Sequence, residues 1–139
     1  MAVARYLVDK SALARMDRPL VQDRLAPLLL AGLVATCSLI DLEVLFSSRS
    51  PAEYEELRLE RLGFERLDIE QVDWDRALAV QRLLARASRH RVAGIPDLVI
   101  AAVAERHRVT VLHYDRDFDA LSEVTGQAVQ WVVPPGAAL

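Results

Sequence analysis

Residues 95–115 read IPDLVIAAVAERHRVTVLHYD and contain an apolar helical stretch followed by a short apolar run. Pro96 suits the first turn of a helix, and residues 97–107 are apolar on almost every side, so the pattern predicts a buried helix. Residues 109–113 are short and partly β-branched, which is typical of a buried strand. A buried helix that leads into a buried strand indicates a sheet covered by helices.

The same alternation of strands and helices extends to both sides of this unit. The predicted strands cover residues 3–8, 33–37, 64–69, 109–113 and 128–133, and the predicted helices cover residues 19–31, 38–46, 51–62, 72–90, 97–107 and 118–124. This order predicts a mostly parallel sheet of about five strands between helical layers, a three-layer α/β/α sandwich. Because 139 residues suit one domain and no linker or repeat interrupts them, we expect a single domain over residues 1–139.

The composition, with 53% hydrophobic and 27% charged residues, is that of a globular protein. Cys37 is the only cysteine, so no intrachain disulfide is expected and a reducing compartment is indicated. The longest uncharged stretch, residues 25–40, is shorter than the roughly 20 apolar residues of a membrane span. The charged residues 1–10 lack the apolar core of a signal peptide. We therefore expect a cytoplasmic protein that does not enter a membrane.

Two acidic residues follow predicted strands. Asp9 comes directly after the first strand, and Asp115 comes just after the strand over residues 109–113. In parallel α/β sheets, ligands bind beyond the carboxyl ends of the strands, and these ends share one edge. The two carboxylates are therefore predicted to lie together at that edge.

Two further acids are predicted to point inward from helices. On a helical wheel of about 100° per residue, Glu43 falls on the apolar side of its helix, whereas Asp41 falls opposite and is predicted to face solvent. Asp97 lies in the first turn of the buried helix, above apolar residues that must pack against the sheet. Asp9, Glu43, Asp97 and Asp115 thus form a candidate site, with Asp117 close by in sequence.

Four carboxylates gathered in one site require a neutralising partner. Ionised carboxylates are costly to bury, and their mutual repulsion raises their pKa values. Oxygen ligands without histidine or cysteine favour hard cations such as Mg²⁺ or Mn²⁺. Such a site suits phosphodiester or phosphoryl transfer, in which the metal activates water and stabilises the charge that develops on phosphorus.

Other acids receive simpler interpretations. Asp41, Asp119 and Glu53 are interpreted as cap or turn residues, and Ser38 as the N-cap of a helix. A calcium loop beginning at Asp115 is excluded, because its sixth and twelfth positions are alanine and glycine. The sequence also lacks the G-x-G-x-x-G and Walker A motifs, so nucleotide-binding sites of those kinds are not supported.

Some polar side chains near these acids have two interpretations. Ser11 either caps a helix or hydrogen-bonds to Asp9 or to a metal-bound water. Arg82, Arg86 and Arg89 recur at i, i+4 and i+7 and are candidates to bind an RNA backbone, with a solvated helix face as the alternative. The three histidines do not have the spacing of a metal motif.

Four motifs resemble one known family. LVDKSAL lies at residues 7–13, SLIDLEVLFSSRS at 38–50, IPDLVIAAVAERH at 95–107 and VLHYDRDFDAL at 111–121. In this order and spacing they are similar to the VapC toxins, the PIN-domain ribonucleases of VapBC toxin–antitoxin systems. The resemblance spans nearly the whole chain and ends with QWVVPPG at residues 130–136.

The resemblance implies a PIN-like fold and a Mg²⁺- or Mn²⁺-dependent endoribonuclease that cuts tRNA or another structured RNA. It implies Asp9, Glu43, Asp97 and Asp115 as catalytic metal ligands, with Asp117 as a possible fifth member, and leaves open whether Asp115 or Asp117 is the fourth ligand. It also implies a homodimer and a VapB-type antitoxin, which lies across the toxin in a heterotetramer or larger assembly. The alternatives are a non-catalytic peptide-binding module and a phosphatase on a similar fold.

The net charge of −3 and pI near 5.6 exclude a broad basic surface for nucleic acid. If the five candidate ligands are set aside, fifteen acidic residues face seventeen basic ones. Part of the acidity therefore belongs to the candidate site, where metal ions would bridge carboxylates and phosphates.

Overall fold

A parallel sheet forms the centre of the computed structural model, which describes residues 2–139. The strands are β1 (Tyr6–Val8), β2 (Val34–Thr36), β3 (Glu65–Arg66), β4 (Thr110–His113) and β5 (Val129–Trp131). Their order across the sheet is β3-β2-β1-β4-β5, and every pairing is parallel. The predicted α/β sheet is confirmed, with the first predicted strand at its centre.

Helices connect the strands and cover the sheet. They are α1 (Lys10–Leu13), α2 (Pro19–Leu30), α3 (Ser38–Phe46), α4 (Pro51–Leu62), α5 (Gln71–Arg86), α6 (Ile95–His107) and α7 (Asp117–Thr125). The short helix α1 is the one that the sequence pattern did not predict. Its four residues are too few to show a helical period.

Neighbouring residues of each strand pack into two different cores, because side chains alternate across a sheet. Leu7 of β1 belongs to a core formed largely with α5, α6 and α7. Val8 belongs to a second core, which includes α2 and the segment after β5. These two cores on opposite faces of the sheet give the predicted three layers.

The helix that was predicted to be buried has an enclosed central part. The seven residues from Leu98 to Ala104 of α6 are all buried. Gly94 precedes the helix, Pro96 lies in its first turn, and Arg108 ends it in the left-handed conformation with φ of 56°. Burying this central part of the helix fixes its axis, and so fixes the position of Asp97 in its first turn.

The prediction for the start of α3 is wrong. The N-cap position is Cys37 rather than Ser38, and Asp41 does not cap the helix. Asp41 is 6% exposed and accepts hydrogen bonds from Thr36 Oγ1 at 2.7 Å and from Arg61 Nε at 2.9 Å. The wheel placed Asp41 opposite Glu43 correctly, but that opposite side is covered by α4 and β3 instead of solvent.

The prediction for the end of α5 is also wrong. The helix ends at Arg86, and Ser88 has a φ of 57°, so the chain turns before Arg89. Arg82, Arg86 and Arg89 therefore do not form one helical stripe.

A membrane-spanning helix is absent from residues 2–139, since none of the helices there is both long and apolar enough.

Candidate active site

Asp9 is fixed at the carboxyl end of the central strand. It follows β1, is 4% exposed and forms the N-cap of α1, where its Oδ2 accepts the Ser11 N–H at 2.9 Å. Its own N–H donates to the Leu112 carbonyl of β4 at 2.9 Å. Burial raises the pKa of Asp9, hydrogen bonds from Ser11 oppose that shift, and the negative charge of Asp115 adds to it.

Ser11 links this strand end to the next one. Its Oγ accepts the N–H of Tyr114 at 2.8 Å, while its backbone N–H donates to Asp9. The interpretation of Ser11 as a helix cap is wrong, because Asp9 caps α1 and Ser11 lies inside that helix. The predicted hydrogen bond to Asp9 is present, but the backbone N–H of Ser11 donates it. Together the two hydrogen bonds of Ser11 connect β1 to the segment that carries Asp115.

Asp97, Asp115 and Asp117 form the tightest carboxylate group. Each contributes an oxygen, and these oxygens all lie within 4.8 Å of one another. The turn between Asp115 and Asp117 is closed by a hydrogen bond from Asp117 N–H to Asp115 Oδ1 at 2.9 Å. The geometry therefore keeps both residues near Asp97.

Glu43 extends toward the same place from α3. Its Oε1 is buried and has no hydrogen-bond partner within residues 2–139. Burial raises its pKa, the charge of Asp9 raises it further, and Lys10 opposes both. An orphaned carboxylate oxygen is costly to bury unless a cation or donor reaches it.

The four predicted acids line one open cleft of about 360 Å³ at the carboxyl edge of the sheet. Asp9, Glu43, Asp97 and Asp115 share this cleft with Ser11, whereas Asp117 borders a neighbouring one. Asp9 and Glu43 lie outside the 4.8 Å group. The structure thus gathers Asp97, Asp115 and Asp117 into a close triad, and Asp9 and Glu43 line the cleft that Asp97 and Asp115 share.

Electrostatics makes this cleft a place for a cation. Burial, together with the charges of Asp9 and Asp115 and a hydrogen bond with Asp117, raises the pKa of Asp97 to about 8. Carboxylates perturbed in this way by burial and like charge, in a cleft, are typical of functional sites. The oxygen-only donor set and the orphaned Glu43 oxygen fit a Mg²⁺ or Mn²⁺ ion.

His113 supports the Asp115 turn from beneath, a role that the sequence pattern did not indicate. Its ring is fully buried between Phe118 and Trp131, each with its ring centroid 5.1 Å away. Its Nδ1 accepts the Asp115 N–H at 3.1 Å, so the ring proton lies on Nε2. Burial lowers the pKa of His113, which favours the neutral ring.

Two cations, Lys10 and Arg15, also line the cleft. No motif in the sequence had indicated a role for either of them. By contrast, the predicted Arg82, Arg86 and Arg89 are exposed and do not line it. Arg89 pairs with Glu123 at 3.2 Å on the neighbouring surface.

Comparison with known proteins identifies relatives over almost the whole chain. The family model of the PIN domain matches residues 6–124. Ribonuclease VapC21 of Mycobacterium tuberculosis is 44% identical over 135 residues, which cover 96% of this chain and 98% of that protein. Ribonuclease VapC51 of the same organism is 45% identical over 132 residues, which cover 95% and 96%.

Solved structures share the fold. A chain in the DNA-bound VapBC structure from Salmonella typhimurium has a TM-score of 0.77 at 16% identity, covering 94% of this chain and 100% of that one. A chain of VapBC-5 from Mycobacterium tuberculosis has a TM-score of 0.56 at 25% identity, covering 70% and 79%.

Proposed function

The chain belongs to the VapC family of PIN-domain proteins, and from that membership we propose that it is a Mg²⁺- or Mn²⁺-dependent endoribonuclease, the toxin of a toxin–antitoxin pair. The observation that carries the proposal is the cleft of four carboxylates at the carboxyl edge of the sheet, one buried and three half-buried, in which burial and like charges raise the pKa of Asp97. The relatives are named as ribonucleases, and these names do not favour the two alternative functions, a phosphatase or a non-catalytic peptide-binding module.

Asp97, Asp115 and Asp117 would hold the metal, with Asp9 and Glu43 of the same cleft as further ligands. When bound, Mg²⁺ or Mn²⁺ supplies an activated water and stabilises the charge that develops on phosphorus.

Hydrogen bonds within the protein hold these carboxylates in position. Ser11 holds the Asp9 carboxylate through its N–H and holds the Asp115 segment through its Oγ. The Asp117 N–H fixes one oxygen of Asp115, which leaves the other oxygen toward the cleft. Groups fixed in this way need little reorganisation when the phosphodiester arrives.

The test uses a matched pair of variants. Asp9→Asn removes a charge from the cleft without a change of shape, and Asp23→Asn does the same on an exposed position of α2. Each protein is incubated with total bacterial RNA in Mn²⁺, and the new 5′ ends are mapped by sequencing. We expect discrete cuts in tRNA or another structured RNA from wild type and Asp23→Asn, and none from Asp9→Asn.

A second readout separates metal binding from cleavage. Mn²⁺ should raise the melting temperature of wild type, EDTA should reverse the rise, and Asp9→Asn should show a smaller rise, because a ligand that binds the native state stabilises it. Cleavage that persists in EDTA, or at the wild-type rate in Asp9→Asn, would refute the proposal.

We propose that a groove beside the acidic cleft binds a helical or extended segment of a VapB-type antitoxin. It has a volume of about 390 Å³ and is mainly apolar, lined by Leu13, Leu29, Val44, Leu57 and Phe64 among others. Lys10 and Ala14 line both the groove and the acidic cleft. A peptide in the groove would thus extend to the carboxylates, where an arginine of the antitoxin would pair with them bidentately.

The antitoxin proposal is tested with a purified cognate antitoxin. Substituting Leu57→Glu in the groove should weaken the complex by at least about tenfold, since it places a charge against an apolar segment, while RNA cleavage by the free toxin stays unchanged. Equal binding of the variant and wild type would exclude this groove.

A second copy of the chain is proposed to cover the exposed apolar surface of α5 and α6. Trp74, Leu78 and Ile95 are 44%, 64% and 68% exposed around a groove of about 300 Å³. A cytoplasmic homodimer, and a heterotetramer or larger assembly with antitoxin, would bury them. Leu78→Glu should shift the mass measured by light scattering from dimer to monomer.

A further inference from the structure

Arg15 is a fixed cation at the rim of the acidic cleft. Its Nη1 donates to the Ser11 carbonyl at 2.7 Å, and its Nε donates to the Ala138 carbonyl at 3.0 Å. Its Cζ lies 4.3 Å from the centroid of the Tyr114 ring. Two carbonyls and one aromatic face thus determine where the guanidinium lies.

This cation has no acidic partner. Within residues 2–139, no carboxylate oxygen lies within 4.0 Å of the Arg15 guanidinium. Its two hydrogen bonds use two of the five guanidinium N–H groups, so three remain for another ligand. A planar, preorganised guanidinium with free donors matches the geometry of a phosphate.

The segment after β5 holds Arg15 in place through Tyr114. The Tyr114 hydroxyl accepts N–H groups from Gly136 at 2.8 Å and from Ala138 at 3.1 Å. The same segment supplies the Ala138 carbonyl to Arg15. Because Tyr114 directly precedes Asp115, this arrangement ties the position of the guanidinium to the position of the catalytic carboxylates.

Lys10 also lines the cleft, but its charge acts on Glu43, among the proposed metal ligands. Arg15 is bound to carbonyls instead and keeps its full charge for a ligand. An RNA strand that enters a cleft of carboxylates brings phosphates on either side of the one that is cut, and each is repelled unless a cation meets it.

We propose that Arg15 binds a phosphate of the RNA adjacent to the scissile one, and that Tyr114 positions Arg15 for this contact. The inference rests on the proposed function for the identity of its ligand, RNA. Arg15 thereby sets the register of the strand over the carboxylates.

The test measures RNA binding without cleavage. A fluorescein-labelled RNA 20-mer of random sequence serves as the probe, because a phosphate contact does not depend on base sequence. Anisotropy is measured in Ca²⁺ over a range of salt concentrations, and a denaturing gel verifies that the probe stays intact. Arg15→Gln is compared with Arg18→Gln, a nearby exposed arginine that is 3.9 Å from Asp17 and does not line the cleft.

Arg15→Gln should weaken binding about tenfold and reduce the slope of log K against log salt by about 0.7, the value for one phosphate contact on a single strand. Arg18→Gln should bind within about twofold of wild type. Arg15→Lys keeps the charge but loses the planar fork, so it should lose about threefold in affinity and keep the wild-type salt slope.

Tyr114→Phe removes the hydroxyl that anchors residues 136 and 138 but keeps the ring. It should weaken binding about threefold in wild type and have no effect in the Arg15→Gln background, because its role acts through Arg15. A merely structural role of Tyr114 would give the same loss in both backgrounds.

The inference is overturned if Arg15→Gln binds like wild type, if Arg18→Gln loses as much, or if wild type does not bind the probe. Failure of the proposed function has a different signature. Wild type would then bind the probe with full dependence on Arg15, yet would not cut RNA in Mn²⁺.

Discussion

Asp41 and Glu43 lie two residues apart on α3 and are both withdrawn from solvent, but their surroundings are opposite. Burial raises the pKa of Asp41, yet hydrogen bonds from Thr36, Arg61 and Arg66 outweigh it and leave that pKa below its usual value. Burial and the charge of Asp9 raise the pKa of Glu43, whose Oε1 is unpartnered within the described residues.

The difference separates an acid that the chain neutralises from one that it leaves without a partner within residues 2–139. Arg61 of α4 and Arg66 of β3 neutralise Asp41 within the protein, so that side of α3 requires no external cation. The opposite side faces the acidic cleft, where the charge of Asp9 raises the pKa of Glu43, Lys10 opposes that shift and no side chain donates a hydrogen bond to Oε1 within the described residues. A half-buried acid without a partner in the described part of its own chain favours an external cation, and this is why Glu43 enters the proposed metal site.

The largest expected effect on stability comes from disrupting the buried ion pair of Asp41. Arg61→Ala leaves Asp41 and Thr36 short of a buried partner, and such a loss typically costs about 3–5 kcal/mol. Urea unfolding should show this decrease in the free energy of unfolding, whereas Arg58→Ala, which removes a surface pair with Glu55, should cost about 0.5 kcal/mol or less. Similar values for the two variants would mean that the Asp41 cluster is not a structural unit.

An effect of intermediate size is expected in the acidic cleft, where removing a charge should raise the free energy of unfolding instead of lowering it. In EDTA, the folded protein keeps a proton on Asp97 up to a pKa of about 8, whereas an aspartate in the unfolded chain has its ordinary pKa of 3.8. The folded state therefore binds more protons between these values, and stability should fall as pH rises through this window. Asp41 has a lowered pKa, so its contribution to stability is lost only as the pH falls below the pKa that this residue has in the unfolded chain.

Asp97→Asn tests this window. In EDTA at pH 8 the variant should be more stable than wild type by on the order of 1–2 kcal/mol, after allowance for solvent in the open cleft, and its stability should depend less on pH. Urea titrations at several pH values provide the measurement. A variant that is less stable than wild type at pH 8 would show that Asp97 already has an internal partner.

The smallest effect on stability is expected at Glu43. Glu43→Gln removes the charge and keeps the shape, so without metal it should be as stable as wild type or up to about 1 kcal/mol more stable. Its affinity for Mn²⁺, measured by calorimetry, should nevertheless fall about tenfold. Unchanged affinity would place Glu43 outside the metal site and weaken the contrast with Asp41.

Local signals in the sequence were sufficient for much of this architecture. Ser50 and Pro51 start α4 as predicted, and Gly126 ends α7 in the left-handed conformation with φ of 73°. Asp9 and Asp115 could be located because parallel strands place their carboxyl ends at one edge.

Contacts between distant segments could not be read from the sequence. The partners of Asp41 lie 20 and 25 residues away, on α4 and β3, so a helical wheel of α3 alone could not show that this side is covered. The contact between Arg15 and Ala138 spans 123 residues. The turn at Ser88, which removes Arg89 from α5, depends on a left-handed residue that is not a glycine.

The anchoring of residues 136–138 has a practical consequence for handling the protein. An affinity tag added after Leu139 would begin beside Tyr114 and Arg15, and so would compete with whatever enters the cleft. The opposite end of the chain is safer, because Val3 and Ala4 are held by Glu65 at the amino edge of the sheet. Immobilising the protein through that end would leave the cleft open on a sensor surface.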